Sequence, residues 1–148
     1  MTFDREALKA RLKHSEGFKP YAYLDSVGLL TIGYGRMIDK KQGGGISKNE
    51  AEYLLDNDIT TALAECDTHI PWWRGLDPVR QEVMVDLMFN MGWGGGTRGL
   101  STFKRTLAAI EANDYTRAAE GLRKSKWASQ VKSRADRLIR MMETGTKE

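Results

Sequence analysis

The sequence predicts a mostly helical α+β protein, and two patterns carry that prediction. Several segments repeat apolar residues at the three- and four-residue spacing of amphipathic helices, whereas residues 21–38 combine strand-forming side chains with glycines. With 148 residues, 41% of them hydrophobic and 29% charged, the chain is long enough to bury a core and has the composition of a soluble globular protein. We expect one domain, or two small lobes that share a helix.

The chain opens with a predicted amphipathic helix over residues 4–15. Asp4 is placed to act as its N-cap, and leucines share one of its faces. Gly17 is expected to end the helix, because glycine readily adopts the left-handed conformation that stops helices. Glu16 should therefore lie in the last turn.

A β-meander is predicted next, over residues 21–38. A sheet of two or three strands cannot bury its own face, so we expect it to lean on helices and leave a cleft. The glycine run in residues 40–46 predicts a flexible loop. Ser47 and Glu50 then match a capping box, which starts a helix running to about Cys66.

The remainder of the chain is predicted to be helical. Asp77 followed by Pro78 is a helix start, and the apolar residues after it predict a buried core helix that ends at Gly92. Shorter helices are predicted after it, each with an N-cap candidate. They are 101–112 with Ser101, 114–124 with Asp114, and 134–143 with Ser133.

The net charge of +3 is unevenly distributed. Residues 1–100 carry 12 basic and 14 acidic side chains, a net −2, whereas residues 101–148 carry 11 basic and 6 acidic, a net +5. A basic C-terminal third suits a polyanionic partner: a cell-wall polymer, outer-leaflet lipid or nucleic acid. A solvated helical surface would show the same pattern, and from charge alone we favour that interpretation.

Targeting and disulfide signals are not visible. The first residues are charged, and no stretch approaches the ~20 apolar residues of a membrane span, so we expect neither a signal peptide nor an anchor. The single cysteine, Cys66, excludes an internal disulfide framework.

Two carboxylates and a hydroxyl stand close together in the sequence. Glu16 ends the first helix, Asp25 lies at a predicted turn, and Thr31 lies in a strand-like run. Hydrolysis of an acetal needs two carboxyl groups on opposite sides of a sugar, one to protonate the leaving oxygen and one to activate water or attack. Because the chain has 20 acidic residues, spacing alone favours two ordinary surface carboxylates.

Residues 16–36 resemble the active-site signature of phage-type lysozymes, glycoside hydrolase family 24, which includes enzymes of T-even phages. The matching residues are Glu16-Gly17-Phe18, Tyr23, Asp25, Gly28 and Thr31-Ile32-Gly33-Tyr34-Gly35. Asn90-Met91-Gly92 resembles the end of the family's central helix, and residues 125–137 resemble its late segment. The resemblance therefore covers nearly the whole chain, in order.

The resemblance implies a lysozyme-like two-lobed fold. The small lobe would span about 14–60 and hold the β-meander, and the larger helical lobe would span about 61–148 and include the N-terminal helix. The implied reaction is hydrolysis of the β-1,4 bond between N-acetylmuramic acid and N-acetylglucosamine in peptidoglycan (EC 3.2.1.17). Inversion at the anomeric carbon is implied, and no cofactor is expected.

The resemblance also assigns roles to the three polar residues. Glu16 would be the general acid, because packing against the core should partly desolvate it and favour its protonated form. Asp25, on an exposed turn, would stay ionised and orient the attacking water with help from Thr31. Arg134 resembles the family arginine that pairs with the catalytic glutamate.

Further residues are candidates for the cleft. The rings of Phe18 and Tyr34 could cover the apolar faces of sugars. Asn90 and Gln130 are expected at or behind the cleft, whereas Trp127 is expected in the core.

Arg36 departs from the resemblance, because the T-even members have histidine at this position. Arg36 could hold Asp25, hold a neighbouring carboxylate, or meet an anionic substrate. No metal site is predicted, because His14 and His69 are far apart in sequence and lack local partners.

Two alternatives stay open: a lytic transglycosylase working with one glutamate, and a non-enzymatic basic module that binds wall or membrane. As a lysozyme, the chain would be a monomer made in the host cytoplasm that reaches periplasmic peptidoglycan after a holin permeabilises the membrane. The basic C-terminal helices could meet anionic outer-membrane lipid. We expect no nucleic-acid partner.

Overall fold

The structure is a computed structural model that describes residues 2–147. Its helices are α1 (Arg5–Glu16), α2 (Lys48–His69), α3 (Pro78–Met91), α4 (Lys104–Glu111), α5 (Tyr115–Arg123), α6 (Lys126–Val131) and α7 (Ser133–Thr144), and its strands are β1 (Lys19–Leu24), β2 (Leu30–Gly33) and β3 (Arg36–Met37). The predicted α+β, mostly helical fold class is confirmed. None of the described helices is long and apolar enough to cross a membrane.

The chain divides into two compact units inside α2. The first unit ends at Tyr53 and the second begins at Leu54. The first unit contains α1 and the sheet, and the second contains α3 to α7. The lobes expected at about 14–60 and 61–148 stay a prediction.

The sheet of the first unit is an antiparallel meander in the order β1-β2-β3. Leu24 faces Leu30 and Tyr23 faces Thr31 across the first pair, and Thr31 faces Met37 across the second. The central strand is therefore paired on both sides, and Thr31 is the one buried residue among residues 2–53. A single helix and three short strands enclose little volume, so most side chains of this unit are at least partly exposed.

The loop between the sheet and α2 is more ordered than the glycine run suggests. A short 3-10 turn spans Lys40–Gln42, with the side chain of Asp39 accepting from the N–H of Lys41. The N–H of Gly45 donates to the carbonyl of Met37 over 3.2 Å. The loop therefore folds back against β3.

Three of the predicted N-cap residues start their helices as expected. The predicted N-caps Asp4, Asp77 and Asp114 each accept from a backbone N–H three residues on. The predictions of Ser101 and Ser133 as N-caps were wrong, because α4 starts after Phe103 and α7 starts at Ser133 itself.

The core lies in the second unit. α3 places Val83, Met84, Leu87 and Met88 in it, as the apolar stripe predicted. Residues from α2, α4, α5 and α7 surround this helix. Cys66 is buried among them, and burial raises the pKa of its thiol to about 11, so the group is inert at neutral pH.

Arg80 joins α3 to the end of the C-terminal helix. Arg80 donates from Nε to the carbonyl of Met142 over 2.7 Å and from Nη2 to that of Glu143 over 3.0 Å. Its guanidinium also lies 3.5 Å from the ring centroid of Tyr115. These contacts satisfy carbonyls that the end of α7 leaves without partners.

Candidate active site

Glu16 is the last residue of α1, as predicted, and its side chain is exposed. Its carboxylate lies against the turn between β2 and β3. A Cβ built on Gly35 would stand 2.7 Å from Oε2 of Glu16 and 2.9 Å from its Cδ. The predicted shielding by the core was wrong, because α1 buries none of its residues.

Asp25 follows β1 and organises the turn to β2. Its Oδ1 accepts from the N–H of Val27 over 3.0 Å and from that of Leu29 over 2.8 Å. Asp25 as a residue is half-buried rather than exposed, and no donor among residues 2–147 reaches Oδ2. One oxygen is thus held by the backbone, and the other is available to a water or a substrate.

Thr31 is buried in the central strand, with 4% of its surface exposed. Its hydroxyl donates to the carbonyl of Leu29 over 2.9 Å, and that carbonyl also accepts from the N–H of Asp25 over 2.9 Å. The N–H of Leu29 also donates to the carboxylate of Asp25, so Leu29 connects that carboxylate to the hydroxyl of Thr31. Since its hydrogen is engaged, Oγ1 of Thr31 is left to act as an acceptor.

The β1–β2 hairpin arranges these groups along its length. Asp25 lies beside the Leu24–Leu30 pair, Thr31 is one residue further along β2, and the Gly35 turn lies beyond Gly33. The three steps from Leu30 to Gly33 correspond to about 10 Å of strand. Both carboxylates and the hydroxyl therefore belong to the first unit, while their joint catalytic role stays a prediction.

Two exposed rings lie near the Glu16 end of the hairpin. The ring centroids of Phe18 and Tyr34 are 5.5 Å apart and the rings are tilted by 40°. The ammonium group of Lys13 lies 5.7 Å from the centroid of Tyr34. Exposed tilted rings present apolar faces of the kind that cover pyranose rings.

Arg36 holds a neighbouring carboxylate, one of its three predicted alternatives. Its Nη1 donates to Oε1 of Glu50 over 2.8 Å, and its Nη2 lies 2.6 Å from Oε2. Nη1 also donates to the carbonyl of Gly45 over 3.2 Å. The hydrogen bond from Arg36 is the largest cause that lowers the pKa of Glu50, to about 2, and bonds from Ser47 add to it.

The sequence analysis did not predict Glu50 as the partner of Arg36. Its place in the capping box was predicted and is confirmed, since it accepts from the N–H of Ser47 over 2.8 Å. The capping box explains Glu50 without any further partner, so nothing local in the sequence joins it to Arg36.

Asn90 and Gln130 belong to the second unit and line a cavity of about 860 Å³. The indole N–H of Trp127 donates to Oδ1 of Asn90 over 2.6 Å, and Trp127 is buried, which confirms its predicted place in the core. Lys104 and Lys126 line the same cavity, so its rim is basic.

Arg134 is ion-paired with Asp86 of α3, within the second unit. The predicted pairing with Glu16 would join residues of different units, and it stays a prediction. Among residues 2–147 no cluster of three or more His, Cys, Asp or Glu side chains is arranged to hold a metal ion.

Comparison with known proteins places these residues in context. The model of the phage lysozyme family matches residues 13–141. Probable T4-type lysozymes 1 and 2 of Dictyostelium discoideum are 28% and 30% identical to the chain, in alignments covering 95% of each chain. The pre-baseplate central spike protein Gp5 of Enterobacteria phage T4 is 28% identical over 93% of this chain and 28% of its own length.

Proposed function

Because the chain belongs to the phage lysozyme family, we propose that it hydrolyses the β-1,4 bond between N-acetylmuramic acid and N-acetylglucosamine in bacterial peptidoglycan. Membership supports a lysozyme-like, peptidoglycan-hydrolysing function. The relatives named T4-type lysozymes support the same reaction class over nearly the full chain.

The observation that carries the proposal is the connection of Asp25 to Thr31 through Leu29. The backbone fixes Oδ1 of Asp25 and leaves Oδ2 open, while Oγ1 of Thr31 can only accept. A water that donates one hydrogen to each of these oxygens presents its own lone pairs outward. Such a water is oriented for attack on an anomeric carbon.

Glu16 acts as the general acid in this proposal. Its carboxylate is exposed, so the shielding that favours the protonated form comes from the sugar that covers it. Glu16 gives its proton to the leaving glycosidic oxygen as the bond from the anomeric carbon breaks. The water forms the new bond, its proton passes to Asp25, and the product has an inverted anomeric centre.

The remaining candidates bind substrate. Phe18 and Tyr34 present ring faces to the glycan on the first unit. Asn90, Gln130 and Arg134 contribute polar groups on the second unit, where Asn90 is oriented by Trp127 and Arg134 by Asp86.

The setting we propose is phage-induced lysis. The protein is a monomer that accumulates in the host cytoplasm and reaches periplasmic peptidoglycan after a holin opens the membrane. Lys126 makes no ion pair with residues 2–147, whereas Lys124 is paired with Glu120 over 2.8 Å. Lys126 is therefore the better candidate for contact with anionic outer-membrane lipid. Binding of the full chain, but not of Lys126→Gln, to anionic vesicles tests that contact.

The test is digestion of purified peptidoglycan with identification of the product ends. Wild type should release reducing ends of α configuration, as expected for inversion, and Glu16→Gln and Asp25→Asn should lose at least about a hundredfold in rate. Glu6→Gln, in the first turn of α1, is the matched control and should match wild type. Products with 1,6-anhydro ends would assign the chain to the lytic transglycosylases. Equal activity of Glu16→Gln and wild type would refute the assignment of the site.

A further inference from the structure

The Glu16 carboxylate lies close against the Gly35 turn. A Cβ on Gly35 would stand 2.7 Å from Oε2 and 2.9 Å from Cδ of Glu16, so the carboxylate would have to shift to make room for it. Any displacement of the turn therefore displaces the surface on which the carboxylate rests. A catalytic acid must be held closely, because small misplacements of a reacting group cost large factors in rate.

The strand that follows this turn is short. β3 has only two residues, Arg36 and Met37, and it is one of the two edge strands of the sheet. Its register pairs with β2 are Ile32–Arg36 and Thr31–Met37, and the N–H of Ile38 donates to the carbonyl of Leu30 over 2.9 Å just beyond them. Short edge pairings of this kind open easily in water.

Arg36 supplies a second attachment, from the residue immediately after Gly35. Its guanidinium binds both carboxylate oxygens of Glu50 and the carbonyl of Gly45. Glu50 is itself held by the N–H of Ser47 at the start of α2. Arg36 thus joins the Gly35 turn to the loop before α2 and to the first turn of α2. The contact with Glu50 is planar and uses two points, which a guanidinium can form and an ammonium cannot.

We propose that Arg36 and Glu50 are positioning residues for Glu16, holding the Gly35 turn against which its carboxylate lies. The inference rests on the proposed function, in which Glu16 is the general acid. Glu50 touches no reacting atom, and its effect passes through Arg36 and Gly35. The hydrogen bond from Arg36 lowers the pKa of Glu50 to about 2, so Glu50 is ionised and can bind Arg36 at neutral pH.

Glu50→Gln is the decisive variant, because glutamine still satisfies a capping box while the charge that binds Arg36 is lost. We expect kcat on soluble peptidoglycan fragments to fall about tenfold or more, with KM within about twofold of wild type. Arg36→Gln should give a similar loss, and the double variant should be no worse than either single one, because both remove the same contact.

Two controls separate positioning from general loss of structure. Ser47→Ala removes the hydroxyl that caps α2 but keeps the ion pair, so it should lower stability and leave kcat unchanged. Glu52→Gln removes an exposed neighbouring charge on α2 and should change neither quantity. Wild-type kcat in Glu50→Gln, or an equal loss of kcat in Ser47→Ala, would overturn the inference.

A second measurement does not depend on activity. NMR signals of the Gly35 amide and the Glu16 carboxyl carbon, recorded on the full chain, should shift in Glu50→Gln and stay in place in Glu52→Gln. Unchanged signals in Glu50→Gln would refute the inference even if wild type cleaves peptidoglycan. If wild type is inactive, the proposed function fails, and the shift of these signals still decides whether the ion pair holds Glu16.

Discussion

Asp25 and Leu29 are joined by two hydrogen bonds across a tight turn. The N–H of Leu29 donates to Oδ1 of Asp25 over 2.8 Å, and the N–H of Asp25 donates to the carbonyl of Leu29 over 2.9 Å. The same carbonyl receives the hydroxyl of Thr31. The aspartate proposed to direct the attacking water therefore also shapes the turn that presents it.

Replacing Asp25 should separate these two roles. Asp25→Asn keeps an oxygen that can accept both backbone N–H groups, so it should lose the reaction while unfolding at nearly the wild-type temperature. Asp25→Ala removes the acceptor and should cost a further ~1–2 kcal/mol of stability, since two hydrogen bonds are lost. Thermal unfolding and peptidoglycan digestion, run side by side, check this. Equal destabilisation by the two variants would contradict it.

Gly35→Ala should impair activity more than its loss of stability explains. Its φ of +77° is unfavourable for alanine, and the new Cβ would also stand 2.7 Å from Oε2 of Glu16. Gly43→Ala is the matched control, because Gly43 has a φ of +73° and open space around its Cα. We expect both variants to lose about 1–2 kcal/mol of stability and only Gly35→Ala to lose kcat. Equal kcat values would show that Glu16 does not depend on the turn.

The Arg36–Glu50 pair should make stability depend on pH in the acid range. The pKa of Glu50 in the folded chain is about 2, below its ordinary value of 4.5. The contribution of the pair is therefore complete above about 4.5 and is lost as the pH falls towards 2. Urea unfolding of wild type and Glu50→Gln should differ at pH 6 and converge near pH 2. A difference that stays constant with pH would contradict the assignment.

Trp127→Phe should destabilise the second unit. The variant loses the indole N–H that binds Asn90 and leaves an unfilled space in the core, so we expect a loss of about 2 kcal/mol. Ser129→Ala, on the exposed side of the same helix, is the control and should unfold close to wild type. Denaturant unfolding measures both. A fully stable Trp127→Phe would show that the ring is not part of the core.

The sequence by itself determined the features that depend on neighbours within a few residues. The helix starts at Asp4, Asp77 and Asp114, and the capping box of Ser47 and Glu50, follow from side chains that reach backbone groups three positions away. The order of motifs also predicted the family and the fold class. Where local cap chemistry was ambiguous, as at Ser101, the predicted start was wrong.

Only the tertiary structure decided which distant groups meet. Arg36 and Glu50 are fourteen positions apart, and Arg134 and Asp86 are forty-eight apart, and no periodicity relates either pair. The exposure of Glu16 was misjudged for the same reason, since burial depends on what packs against a helix and not on the helix's own residues. Capping is a local interaction that a sequence displays directly, whereas ion pairing and burial depend on how the whole chain folds.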